Sequence, residues 1–293
     1  MFLPRKILEG KLRNMLAEDL GQGDITTALI VPADSTAEAE IISKETGVIA
    51  GMEEARILVE SLGLKAKILV PDGEKVKAKR VLMKISGHTR TILSVERTLL
   101  NIISRMSGIA TTTRKLMRKI QKAKLKTKVA CTRKVAPGLL YFDKKAVLIG
   151  GGDTHRFHLD DMILIKDNHI RVAGSIKKAI ETVRKDASFS KKIEVEVARV
   201  KDVLVAARAR ADIIMLDNST PKQIEKAIKL LKKERLFGRV SLEASGGITA
   251  ENILAYASTG VDIISLGEIT HSAKALDISL EITKARPLSR KDG

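Results

Sequence analysis

The chain holds a single cysteine, Cys131, among its 293 residues. No intrachain disulfide can form, and cytoplasmic residence is the expectation. Tryptophan is absent, and there are only five phenylalanines and two tyrosines. So few rings leave little for the stacking platforms that hold single-stranded nucleic acid. No apolar run has the length of a membrane span, because charge interrupts each one within about a dozen residues. The opening segment MFLPRKILEGKLRNMLAEDL predicts an amphipathic helix, without the apolar block and cleavage site of a signal peptide. Asparagine and glutamine are sparse beside lysine and glutamate, a balance that points toward a high-temperature source.

Positive charge is what the sequence has in excess, a formal net of +18. A nucleic-acid surface and an appetite for small anions would both fit that sign. The lysines are scattered over many predicted helices, among them Lys115, Lys119, Lys177 and Lys222. With aromatics so few, the scatter favours anionic small molecules, and neither a nucleic-acid nor a membrane partner is expected.

At 44% hydrophobic the chain can bury a full core. Residues 1 to about 110 read as mixed. A helix ends near Leu20 and the turn GQGDITT follows. Strand-like TAEAEIIS and GVIAG come next, then a helix from Glu53 to Leu62. KAKILV and VLMKISG flank the turn Pro71-Asp72-Gly73 as a hairpin would. A helix from about Thr91 is expected to break at Ser107-Gly108 and a second one to run to about Lys124. From residue 125 to about 275 short apolar runs alternate with amphipathic helical stretches. The runs are KTKVACT, MILIKD, KIEVEVA, DIIMLD, RVSLEAS and VDIISLG. Such alternation implies a parallel sheet, and without a GxGxxG fingerprint it favours a barrel over a Rossmann sheet.

Each run ends in a chemically useful type: Arg133-Lys134, Lys166-Asp167, Glu196, Asp217-Asn218, Ser245-Gly246-Gly247 and Gly267. Strand C-termini form the active site of α/β barrels. The cations Arg133, Lys134, His155, Arg156 and Lys166 would make a pocket for a compact polyanion. Glycines on two late strands, each ahead of a predicted helix, suggest a phosphate site; tight turns are the plainer reading. Glu196 and Asp217 can hold magnesium, face sugar hydroxyls or simply pair with lysines. Glu194 shares the parity of Glu196, and spacing does not separate the two. His155 and His158, with Asp153, Asp160 and Asp161, lack the spacing of a zinc site. Lys166 could instead form a Schiff base, as in a barrel lyase. Cys131 reads as a small buried hydrophobe.

The segments EDLGQGDITT, SVERTLLNIISRMSGIATTT, TRKVAPGL, GGGDTHRFHLDD, LIKDNHI, IEVEVA, IMLDNST and LEASGGIT resemble quinolinate phosphoribosyltransferases nearly end to end. The resemblance implies an N-terminal open α/β sandwich, residues 1–110 joined by 276–293, and an incomplete (β/α) barrel over 111–275. It implies formation of nicotinate mononucleotide from quinolinate and phosphoribosyl pyrophosphate, with release of pyrophosphate and CO2 and with magnesium as cofactor. Arg133, Lys134, His155, Arg156 and Lys166 would bind quinolinate, with Arg97 donated by the partner in a homodimer or an assembly of dimers, and Thr132 would also be a substrate-binding residue. Glu196 and Asp217 would serve the ribose and the metal, directly or through water. Ser245, Gly246, Gly247, Gly267 and His271 would hold the 5′-phosphate. Lys134, Lys166, Glu196 and Asp217 would carry catalysis. The family's usual TRKTTPGLR departs here to Val135, Ala136 and Leu140. Related phosphoribosyltransferase-like proteins of molybdate-transport loci share the HR motif and are the nearest alternative.

Overall fold

The structure, a computed structural model, describes residues 3–286. It opens with α1 (Arg5–Leu20), α2 (Ile25–Ile30), β1 (Thr36–Ser43), β2 (Gly47–Val48), α3 (Met52–Ser61), β3 (Lys65–Ile68), β4 (Lys75–Val76) and β5 (Arg80–His88). The long α4 (Thr89–Lys122) precedes β6 (Lys128–Cys131), α5 (Leu140–Gly150), β7 (Ile163–Ile165), α6 (Asp167–Ala173), α7 (Ile176–Asp186), β8 (Ile193–Val197) and α8 (Val200–Arg208). Then come β9 (Ile213–Asp217), α9 (Pro221–Lys233), β10 (Ser241–Ser245), α10 (Ile253–Ala257), β11 (Ile263–Leu266), α11 (Glu268–His271) and β12 (Ile278–Arg286).

Two compact units result. The first takes the chain up to Thr112, Tyr141–Gly150, and the chain from Ala273 onward. The second takes Thr113–Leu140 and Gly151–Ser272. Residues 287–293 of the expected C-terminal contribution lie outside the described residues.

The antiparallel sheet of the first unit has the order β12-β1-β5-β3. β1 buries Ala37, Ala39 and Ile41, every second residue, as a half-buried strand should. α1 buries Leu8, Leu12 and Leu16 at one-turn spacing. This sheet with its helices is the small α/β domain expected. α4 runs through Ser107-Gly108 without the break expected there. Both residues mark close packing instead. Ser107 Oγ bonds the Ala50 amide at 3.0 Å and its carbonyl at 3.1 Å. A Cβ on Gly108 would sit 1.9 Å from the Lys274 carbonyl oxygen.

The expected single piece 111–275 is corrected at α5, which joins the first unit. Its charges are matched there. Asp143 is fully buried and takes two bonds from Arg105, at 2.7 and 2.8 Å. Burial still raises the Asp143 pKa, although Arg105 opposes the shift. Lys145 lies 2.7 Å from Glu54 and also meets Glu53. Buried charges persist only when paired, so these partners fix where the helix belongs.

The second unit has a parallel sheet of six strands among the described residues, in the order β6-β11-β10-β9-β8-β7. Each of the apolar runs forms its strand. Consecutive strands are neighbours except β6 and β7, which form the two edges. That is the order of a (β/α) barrel left open at one seam. Asp153 pairs with Ala130 of β6 by an isolated parallel bridge and so lines that seam. α9 shows why the connecting segments are helical. Thr220 and Gln223 form a capping box around Pro221, which takes the first helical position. Ile224, Ala227, Ile228 and Leu231 then bury one stripe.

Candidate active site

The strand C-termini of the second unit surround a cavity of about 940 Å³. Side chains alternate along each strand, so one parity faces inward. That parity places Glu196, Asp217, Ser245 and Gly267 on the cavity wall. Thr132, Arg133, Lys134, His155, Arg156, Lys166, Gly246, Gly247 and His271 line it too. Arg97 stands exposed on α4 of the first unit and is outside this set.

Strand order sorts these groups into three sectors. The cations follow the two edge strands or bridge the seam between them: Arg133 and Lys134 after β6, His155 and Arg156 after Asp153, Lys166 after β7. The carboxylates Glu196 and Asp217 stand on β8 and β9. The glycine turns follow β10 and β11.

In the cation sector, burial lowers the pKa of Arg156, and the charge of Arg133 adds to the effect. Two guanidinium groups that oppose each other are poised for an anion between them. Arg156 Nη1 also donates to the Met162 carbonyl at 3.3 Å. The Lys134 amide donates to Thr132 Oγ1 at 3.1 Å, and its carbonyl accepts from Thr270 Oγ1 at 2.8 Å. Lys166 Nζ lies 3.3 Å from Glu196 Oε1, at the border with the carboxylates. An exposed lysine paired with a carboxylate suits a charge contact and not the Schiff-base alternative.

In the carboxylate sector, Asp217 accepts from Asn218 Nδ2 at 2.9 Å. Glu196 and Asp217 offer hard oxygen donors at a half-buried rim of the cavity, which fits a hydrated magnesium ion.

In the glycine sector, α10 covers only Ile253–Ala257 of the longer helix read from TAENILAYAS. Gly246 and Gly247 thus stand clear of any helix start, whereas Gly267 is the N-cap of the short α11. Gly246 has φ 87°, and an added Cβ would lie 2.2 Å from Asn218 Oδ1 and 3.0 Å from its amide nitrogen. Asn218 itself has φ 50°, and its amide donates to the Ser245 carbonyl at 2.8 Å. Gly246→Ala should thus cost roughly 1–3 kcal/mol of stability, from the left-handed backbone and the clash together. Urea denaturation measures it, and an unchanged midpoint would show that the two loops can part freely.

The cavity floor holds groups the sequence reading undervalued. Glu194 is fully buried, which settles its ambiguity with Glu196: Glu194 lies below, Glu196 at the rim. Glu243, also fully buried, was missed inside LEASGG, although its two-residue step from Ser245 signals the inner face. His155 Nε2 lies 3.1 Å from Glu194 Oε2 and 3.2 Å from Glu243 Oε2. The N–H is directed at neither, so the ring sits between them. Burial raises the Glu194 pKa. For His155 burial opposes charge, but the two carboxylates outweigh it and lift its pKa to about 10. The Arg156 amide pulls the other way, because it donates to Nδ1 at 2.8 Å and needs that lone pair. A ring protonated on Nε2 leaves Nδ1 bare to accept from the Arg156 amide and turns its positive N–H edge toward the carboxylates.

A second cavity, of about 920 Å³, opens at the opposite strand ends. Its acids are spent on backbone amides: Asp153 on His155, Asp161 on Phe157 and His158, Asp262 on Leu242. It lacks the convergent chemistry of the first.

Comparison with known proteins finds similarity along nearly the whole chain. The family model described as "Quinolinate phosphoribosyl transferase, N-terminal domain" matches residues 24–107, and that of the C-terminal domain matches 109–281. A probable nicotinate-nucleotide pyrophosphorylase [carboxylating] of Methanocaldococcus jannaschii is 46% identical over 93% of this chain and 96% of its own. One from Methanothermobacter thermautotrophicus is 44% identical over 92% and 97%. The solved nicotinate-nucleotide pyrophosphorylase of Francisella tularensis superposes with a TM-score of 0.88 at 40% identity, covering 96% of this chain and 98% of its own.

Proposed function

The chain belongs to the quinolinate phosphoribosyltransferase family, and from that premise we propose that it makes nicotinate mononucleotide for NAD biosynthesis. It transfers phosphoribosyl from phosphoribosyl pyrophosphate to quinolinate, releasing pyrophosphate and CO2. The three-sector cavity is the observation that carries this reading. A diacid, a ribose with its pyrophosphate and a 5′-phosphate each find a matching wall. Neither the molybdate-locus reading nor the Schiff-base reading is favoured.

Arg133, Lys134, Arg156 and Lys166 take the two carboxylates and orient the ring. The neutral pyridine nitrogen needs no base; its lone pair forms the bond to C1′ as the C1′–pyrophosphate bond breaks. Glu196 and Asp217 face the positive charge that builds on the ribose. They would also hold magnesium, which draws charge off the leaving pyrophosphate. The ring nitrogen is then cationic. The C2–carboxylate bond breaks, CO2 departs, and its electron pair is drawn toward that cation before a proton replaces it at C2. Backbone amides around Ser245, Gly246, Gly247 and Gly267, with His271, hold the 5′-phosphate.

The assembly is a homodimer or a set of dimers in which Arg97 serves the partner's cavity. Residence is cytoplasmic, in keeping with the lone buried cysteine; no helix of the described residues is long and apolar enough to cross a membrane.

Incubation with quinolinate and phosphoribosyl pyrophosphate should release CO2 and nicotinate mononucleotide in equal amounts, whereas nicotinate should be inert. Turnover of nicotinate with no use of quinolinate would sink the reading. Glu196→Gln and Asp217→Asn should each lower kcat by ~10- to 100-fold, through loss of charge facing the ribose. Calorimetric quinolinate affinity should stay near that of the wild type. Wild-type turnover of both variants at limiting magnesium would reduce the carboxylates to surface partners.

A further inference from the structure

The turn Lys166-Asp167-Asn168-His169 ends in a histidine that the proposed reaction does not use. Three ordinary roles fail for it. A base is not needed, because the pyridine nitrogen attacks with its own lone pair. A metal would need further ligands, and no group of three potential ligand side chains among the described residues includes His169. A core role needs burial, and His169 is exposed. Nor does it line the cavity.

What the ring does is local. β7 is an edge strand, and its pairing with β8 ends at Ile165. Lys166 follows as the N-cap of α6, with extended backbone at φ −106° and ψ 172°. Its amide lies one residue past the ladder and donates to His169 Nδ1 at 2.9 Å. His169 holds the third helical position, from which a glutamate or glutamine usually reaches back to the cap amide. Accepting at Nδ1 requires that nitrogen bare, so the ring carries its proton on Nε2.

The bond bears on where Lys166 points. α6 buries none of its seven side chains, so no core residue of its own anchors the start of the helix. The Lys166 ammonium reaches the cavity rim, 3.3 Å from Glu196 Oε1. Two other cavity cations are seated in the same manner. The Lys134 amide donates to Thr132 Oγ1, and the Arg156 amide donates to His155 Nδ1. Each time, a side chain close in sequence accepts from the cation's own amide and so sets the direction in which that residue leaves the backbone.

We propose that His169 is a positioning residue: through the Lys166 amide it aims the Lys166 ammonium at quinolinate, without touching substrate itself. This rests on Lys166 being a carboxylate-binding cation of the proposed reaction. Without the ring, water can accept from the same amide but does not fix its direction. The loss should therefore leave stability nearly unchanged and appear in substrate binding.

Steady-state kinetics with each substrate varied in turn, thermal unfolding and amide hydrogen exchange test this. His169→Ala should raise the quinolinate KM about threefold to tenfold. A larger rise is not expected, because the flexible stem of a lysine absorbs part of a backbone shift. The phosphoribosyl pyrophosphate KM and the melting temperature should stay near those of the wild type. His169→Gln, which can accept from the same amide, should bring the quinolinate KM back to within about twofold of the wild type. In a Lys166→Ala background, His169→Ala should change nothing further. Exchange at the Lys166 amide should be faster in His169→Ala than in the wild type, and slow again in His169→Gln.

An equal rise of the quinolinate KM in the alanine and glutamine variants would make the imidazole itself a substrate contact and overturn the proposal. So would an unchanged KM in His169→Ala, a rise shared by both substrates, or a further loss in the Lys166→Ala background. Inertness of the wild type toward quinolinate would defeat the functional reading separately. The positioning would then be read from the Lys166 amide alone, and equal exchange there in the wild type and His169→Ala would overturn it.

Discussion

Replacing Arg133 by alanine should cost about 2–4 kcal/mol of transition-state stabilisation toward quinolinate, a ~30- to 1,000-fold fall in kcat/KM. The reason is visible in the cavity wall. Arg133 and Arg156 oppose each other's charge, and burial of Arg156 sharpens the conflict. A dianion relieves it, so each guanidinium gains more from the substrate than an isolated surface arginine would. Removing Arg133 discards one contact and also part of the conflict that made binding favourable. The fall should therefore lie in quinolinate, with the KM for phosphoribosyl pyrophosphate little changed, because the glycine and carboxylate sectors are untouched. The folded state should lose no stability, since a like charge has gone. Unaltered quinolinate kinetics would remove Arg133 from the subsite. A loss shared equally by both substrates would place it at the pyrophosphate instead.

The strands of the second unit were legible because an apolar run that ends in a polar residue carries both its structure and its exposure in a few letters. IEVEV is the clearest example, but it also marks the limit. Alternation puts Glu194 and Glu196 on one face without telling the floor from the rim. Their depths became distinct through the register, which sets Glu194 opposite Ile213 and Glu196 opposite Met215. α5 was illegible for a different reason. LYFDKKAVLIG buries Asp143, Lys144 and Lys145, so its charges mimic a solvated face. The partners that make burial possible, Arg105, Glu53 and Glu54, are distant in sequence. Ser107-Gly108 misled in the same way, as local letters of a helix break that serve a long-range contact. Glu243 lay unread because the following glycines drew all the chemistry of its motif to the phosphate.

Arg97→Ala and Lys134→Ala homodimers should each be nearly inactive, and refolding the two together should restore roughly a quarter of wild-type activity. Lys134 lines the cavity of the second unit, and its backbone is fixed by Thr270. Arg97 sits exposed on α4 of the first unit and does not line that cavity. If Arg97 serves the partner's cavity, every site in either homodimer lacks one cation. In a mixed dimer, one site receives the intact Arg97 of one chain and the intact Lys134 of the other, while the second site carries both lesions. Random pairing of equal amounts makes half the dimers mixed, and each of these has one good site of two. Because intact sites are wild type, the recovered activity should show the wild-type KM for both substrates. That separates complementation from a mere gain in stability. Differently tagged chains, purified in tandem, would isolate the mixed dimers, whose activity should reach about half that of the wild type. Tagged mixed dimers that stay inactive would mean that Arg97 acts within its own chain or supports the helix alone, and that each cavity is complete without a neighbour.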